Sequence, residues 1–195
     1  MLGMSWWRDM SRRFCFTGAM SYDDTDLAEF EPNAAALVAH NRTWATSWGT
    51  KDESPLPQRR VAVVACMDAR LEVMSILGLE RGDCHVIRNA GGLVTDDVIR
   101  SLCLSQRALK TREIVLIHHT KCGVEGLLDA EFLDGLEADT GHRPSWTPGG
   151  FQDAAASVRA SIAKLTDSPF IEYDADISGF IFDVETGLLE AVEVL

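Results

Sequence analysis

Residues 60–70 read R-V-A-V-V-A-C-M-D-A-R. Val61, Ala62, Val63, Val64 and Ala65 form a short unbroken apolar run. Its length and β-branched content suit a strand buried on both faces. The run ends in Cys66, Asp68 and Arg70, a soft metal ligand, an acid and a base. Open α/β sheets gather their ligands at the carboxyl ends of strands, so this is where such a sheet places its chemistry.

A second stretch, residues 113–123, reads E-I-V-L-I-H-H-T-K-C-G. Ile114, Val115, Leu116 and Ile117 again predict a buried strand, here ending in His118, His119, Cys122 and Gly123. If the two strands are parallel neighbours, Cys66, His119 and Cys122 converge on one point.

The elements between and around them predict the fold class. Leu71–Leu79 reads as a short helix and Cys84–Arg88 as a second strand, followed by a loop at Asn89-Ala90-Gly91-Gly92. Thr95 is placed to cap a helix over Asp96–Lys110, with Asp96 and Asp97 in its first turn and Arg107 and Lys110 in its last, both favourable to the helix dipole. Residues 124–150 are broken by glycines and prolines. Phe151–Leu165 reads as a helix, Ile177–Val184 as a strand, and Glu185-Thr186-Gly187 as a turn into Leu188–Val192. Alternating strands and helices are the signature of a parallel sheet with right-handed crossovers. The expectation is an α/β fold: a central, mostly parallel sheet of about four parallel strands plus an edge strand, flanked by helices, with an N-terminal helical arm.

Three regions follow. Residues 1–20 read as an extension, disordered or upstream of a true start at Met20, with no compact apolar centre or small-residue cleavage site of a secretory signal. Residues 21–59 read as a helical arm and connector. Asn33–Trp48 has Leu37, Trp44 and Trp48 at roughly helical spacing, and that stripe needs a surface of its own or of a second subunit. Residues 60–195 read as one α/β zinc-binding domain.

The formal net charge of −12 argues against nucleic acid or an anionic membrane as the main partner. The five cysteines are odd in number and scattered through 195 residues, unlike a secreted disulfide framework. A reducing cytoplasm with metal-bound or buried thiols fits them better, and no apolar run approaches the length of a membrane helix.

Cys₂His is a known ligand set for catalytic zinc, which keeps an open position. His119-x-x-Cys122 is a short chelating pair, and Cys66 joins it from the other strand. Two arrangements remain open: three protein ligands and water, or three ligands and Asp68. Cys84 begins its strand and belongs at the opposite end of the sheet. Arg70 is close enough to grip Asp68 through two parallel hydrogen bonds. That charge keeps Asp68 ionised, and an ionised carboxylate only accepts hydrogen bonds.

C-M-D-A-R at 66–70, R-N-A-G-G at 88–92 and H-T-K-C-G at 119–123 resemble the β-class carbonic anhydrases in order and spacing. G-F-I-F-D-V-E-T-G at 179–187 resembles one small bacterial branch, close to the carbon disulfide hydrolases. The resemblance implies one Zn²⁺ per subunit on Cys66, His119 and Cys122. It implies an Asp68–Arg70 dyad and reversible hydration of carbon dioxide to bicarbonate and a proton by a zinc-bound hydroxide. It also implies backbone N–H groups near Gly91 and Gly123 that seat the substrate, and a homodimer or larger assembly embraced by the N-terminal helix. His118 departs from the glycine of many relatives and should face away from His119 and pack, with proton shuttling a minor option. Lys121 would add positive charge favouring bicarbonate. Two rival readings share these residues: a carbon disulfide or carbonyl sulfide hydrolase using the same zinc, and a zinc-stabilised binding or sensing module without turnover.

Overall fold

The computed structural model describes residues 32–49 and 54–193. The expected extension over residues 1–20 lies outside them. The elements are α1 (Ala34–Ala45), β1 (Val61–Cys66), α2 (Val73–Ile76), β2 (Cys84–Asn89), a 3₁₀ turn (Ala90–Gly92) and α3 (Asp96–Arg107). Then come β3 (Glu113–His119), α4 (Asp129–Thr140), α5 (Ala154–Thr166), β4 (Ile177–Phe182) and β5 (Leu189–Ala191).

The sheet order is β2-β1-β3-β4-β5. The first four strands are mutually parallel, and β5 closes one edge as the antiparallel partner of β4. The expected fold class is the observed one. Strands buried on both faces explain the unbroken apolar runs, because Ala62 to Ala65 and Ile114 to Ile117 alternate between two cores. On one face Ala62, Val64, Ile114 and Leu116 pack with Val98 and Leu102 of α3 and Val158, Ile162 and Leu165 of α5. On the other, Val63, Ala65, Val115 and Ile117 pack with Leu71, Val73 and Phe182.

Local chemistry sets the helix starts. The Thr95 hydroxyl accepts from the Val98 N–H at 3.4 Å, as the sequence suggests. Asp153 caps α5 by accepting from the Ala155 and Ala156 N–H groups. Most elements shift from expectation by a few residues at their ends, and three regions differ by more. The helix after β1 is a single turn: Leu71 precedes it in a turn closed by its N–H on the Asp68 carbonyl at 3.1 Å, and Gly78, left-handed at φ 61°, follows it. α3 stops at Arg107, where Lys110 takes a left-handed conformation at φ 66°. Residues 124–150, read as irregular, contain α4.

Every residue of α1 is exposed. Trp44 and Trp48 rings lie 4.4 Å apart, and the Arg81 guanidinium stacks 3.6 Å above the Trp48 ring. The arm therefore presents the apolar Leu37 and Val38 outward.

Candidate metal centre

β1 and β3 are adjacent and parallel, with Ala65 opposite Ile117. Cys66 thus ends one strand beside the end of the other, where His119 stands. The chain then turns at Lys121, in a left-handed conformation at φ 55°, and brings Cys122 back. The Cys66 and Cys122 sulfurs are 3.9 Å apart. One ligand atom from each of Cys66, His119 and Cys122 lies within 4.8 Å of the others, and all three residues are buried.

Two observations test whether a metal suits this set. His119 Nδ1 lies 2.9 Å from the Thr120 carbonyl, which can only accept, so Nδ1 carries the hydrogen. That leaves Nε2 with a lone pair, buried and without a hydrogen-bond partner. A buried polar atom without a partner is costly, and a metal ion answers it. Tetrahedral zinc with Zn–S bonds of about 2.3 Å places two sulfurs about 3.8 Å apart, close to the spacing here. The residues fit zinc.

The thiols are prepared for it. The hydrogen bond between the two sulfurs outweighs burial and holds the Cys66 thiol well below its ordinary value. Cys122, as the donor beside a thiolate, is pushed up, and burial adds to the rise. The pair holds one proton between two sulfurs, which metal binding would release.

Asp68 sits beside this cluster, its Oδ2 3.8 Å from His119 Nε2. Arg70 grips it with two parallel bonds, Nε to Oδ1 at 2.8 Å and Nη2 to Oδ2 at 2.7 Å. The Arg70 backbone N–H adds a third to Oδ1 at 2.9 Å. The guanidinium holds the carboxyl well below the usual carboxylate range, against the opposing effect of burial. At neutral pH Asp68 is an acceptor only.

The loop at 88–92 builds the floor. Arg88 donates from Nε to the Cys66 carbonyl at 2.9 Å and from Nη2 to the Asp68 carbonyl at 2.6 Å. Asn89 closes the loop by bonding both the N–H and the C=O of Leu93. Reasoning on residue chemistry alone missed both roles. Their only signal is the R-N-A-G-G motif. Gly91 is buried with φ 76°, and a Cβ there would meet the Val124 side chain at 2.9 Å. Gly123 is exposed and lines an open groove of about 1160 Å³ with Asn89, Ala90 and Val124.

Other expectations resolve as follows. His118 is fully buried, 3.2 Å from the Gly92 carbonyl through Nε2 and 5.6 Å from the Phe151 ring. Burial pushes its pKa down, and it packs, as its place next to His119 in β3 implies. Cys84 pairs in register with Val61, at the far end of the sheet from Cys66. The Lys121 ammonium pairs with Glu185 on the β4–β5 turn.

A family model described as carbonic anhydrase matches residues 61–189. The chain belongs to the β-carbonic anhydrase family. Beta-carbonic anhydrase 1 of Mycobacterium tuberculosis is 47% identical over 156 residues, covering 80% of this chain and 94% of that one. Carbon disulfide hydrolase of Acidithiobacillus thiooxidans is 38% identical over 73% of this chain and 82% of its own. Among solved structures, carbonic anhydrase from Streptococcus mutans superposes with a TM-score of 0.78 at 43% identity, covering 85% of this chain and 100% of that one. As a β-carbonic anhydrase the chain keeps its Cys/His/Cys cluster inside the matched region. Among the described residues no helix is long and apolar enough to cross a membrane.

Proposed function

We propose that this chain is a zinc-dependent carbonic anhydrase that hydrates carbon dioxide reversibly to bicarbonate and a proton. The reading rests on the His119 Nε2 that lacks a partner, beside two thiols and a carboxylate clamped in its acceptor state. Cys66, His119 and Cys122 would hold the ion. Bound zinc would supply a Lewis acid that lowers the pKa of water, to about 7 where three histidines hold it and less far where two thiolates offset its charge.

The chain's own residues supply the direction. Asp68 cannot donate, so a reacting water must turn a hydrogen toward it and a lone pair toward the carbon of the substrate. Arg70 fixes the carboxylate in that orientation. Backbone N–H groups near Gly91 and Gly123 would hold the substrate oxygens, and Val124, which lines the groove with Gly123, would give an apolar wall. The four described cysteines are free thiols, which supports a reducing compartment such as the cytoplasm. The exposed apolar face of α1 supports a homodimer or larger assembly, in which a second subunit would cover Leu37 and Val38.

The likeness to carbon disulfide hydrolase favours one second reading, in which the same dyad directs water at carbon disulfide or carbonyl sulfide. Stopped-flow assays of pure protein with carbon dioxide and with carbon disulfide, alongside zinc content per chain, separate the two. Hydration of carbon dioxide with about one zinc per chain supports the first reading. Turnover of carbon disulfide alone transfers the assignment to the second, and zinc without turnover on either leaves a binding module.

A further inference from the structure

The two carbonyls between His119 and Cys122 have different tasks. That of Thr120 accepts from His119 Nδ1, and that of Lys121 accepts from Arg70 Nη2 at 2.9 Å. The change of direction between them is made at Lys121, whose φ of 55° lies in the left-handed region that residues with a Cβ avoid. We propose that Lys121 is a positioning residue for the dyad: its left-handed backbone turns its carbonyl onto Arg70 and so fixes the guanidinium on Asp68. This rests on the reading of Asp68 and Arg70 as the working dyad.

The Arg70 side chain is 40% exposed. A two-residue ion pair at that exposure is weakly held, because a long side chain has rotamers to explore and water competes. A further acceptor on a fixed backbone removes that freedom. The Lys121 backbone is fixed from the neighbouring strand. The Thr120 N–H donates to the Phe182 carbonyl at 3.0 Å, and the Thr120 hydroxyl accepts from the Val184 N–H at 3.1 Å. On the other side the Cys122 carbonyl accepts from the Glu125 N–H at 3.0 Å. The Lys121 ammonium adds a tie to Glu185, whose turn is in turn held by the Asp183 carboxylate accepting from the Glu185 and Thr186 N–H groups. Both members of the Lys121–Glu185 pair are more than half exposed, so the ammonium is the lesser part of the device. The backbone conformation is the greater.

The test reads the guanidinium directly. In ¹⁵N-labelled protein, with and without zinc, the Arg70 signals are assigned by their loss in Arg70→Lys. A clamped guanidinium rotates slowly about Cζ–Nη and gives resolved Nη signals. The native protein and Lys121→Gly, which takes the left-handed conformation freely, should both show them. Lys121→Val, whose β-branch disfavours that conformation, should merge them. In the zinc-loaded form Lys121→Val should lower kcat for carbon dioxide hydration about tenfold with KM little changed. Glu185→Gln should leave activity within about twofold of native, as expected for an exposed pair.

Resolved Nη signals in a folded Lys121→Val, or merged signals in Lys121→Gly, overturn the proposal. If Lys121→Val does not fold, Lys121→Ala carries a smaller penalty and should broaden the same signals; sharp, resolved signals there also overturn it. Native protein with zinc and resolved Arg70 signals but no hydration overturns the proposed function and leaves the clamp standing.

Discussion

Gly92 lies directly against the backbone of Cys66. A Cβ built on Gly92 would sit 2.8 Å from the Cys66 nitrogen and 3.1 Å from the Ile117 carbonyl oxygen. Its φ of 68° adds a second reason for glycine. Gly92→Ala should cost about 2–4 kcal/mol from overpacking and backbone strain. That corresponds to a fall in Tm of roughly 5–15 °C in a chain of this size. A melt indistinguishable from native would mean that this close approach does not exist in solution.

Arg88 holds the Cys66 and Asp68 carbonyls with one guanidinium. Arg88→Met keeps much of the side chain's volume and removes both donors. Bonds from charged donors contribute about 1.5–3 kcal/mol each, so the loss should appear in denaturant unfolding and as weaker zinc retention against a chelator. Arg88→Lys, with one compact donor group, should recover only part of it.

Asp68→Asn leaves all three candidate metal ligands in place. Zinc content should stay at the native level while the hydration rate falls about 100-fold or more, the range for losing a positioned proton acceptor. Native hydration in this variant would remove Asp68 from the proposed mechanism.

Acid stability gives an independent check on the dyad. Arg70 holds the folded-state pKa of Asp68 below its unfolded value of about 3.9. A depressed carboxyl contributes stability that is fully present above the unfolded pKa and is lost as pH falls through the folded one. The stability gap between native protein and Asp68→Asn should therefore be flat from about pH 7 to 5 and shrink below about pH 4. Asp83 and Asp183 are also depressed, but both are present in the two proteins and cancel. A gap that stays constant to low pH would show that Arg70 does not hold the carboxylate.

Cys122→Ala removes one candidate ligand and the hydrogen bond that lowers the Cys66 pKa. Zinc content should drop well below one per chain by elemental analysis. In the metal-free proteins the Cys66 thiol should titrate higher in Cys122→Ala than in native, read by thiolate absorbance. Full zinc occupancy in the variant would mean that another residue completes the site.

The strands that matter most were the easiest to read. A strand covered on both faces leaves a continuous apolar run, and β1 and β3 are covered on both faces. Their ends carry Cys66, Asp68, His119 and Cys122, so strand prediction brought the candidate site residues together as well. α4 was invisible for the opposite reason. It buries no residue, carries Asp129 and Glu131 in its first turn, and contains Gly135, so no apolar stripe marks it. Arg88 was hidden because its function is to bond two carbonyls far along the chain, which leaves no local pattern. Lys121 suggested a charge near the substrate, yet what its position supplies to Arg70 is a carbonyl oxygen, which every residue type has.

Cys66 and Cys122 stand 56 positions apart, and their sulfurs meet only when β3 has docked beside β1. A polypeptide still emerging from the ribosome offers an ion Cys66 alone, which is no grip at all. Capture of an ion by all three side chains would have to wait for these two strands to pair, so an occupied site would certify that pairing. An ion seated there would cross-brace a long closed loop, and stripping it should loosen both strand ends together.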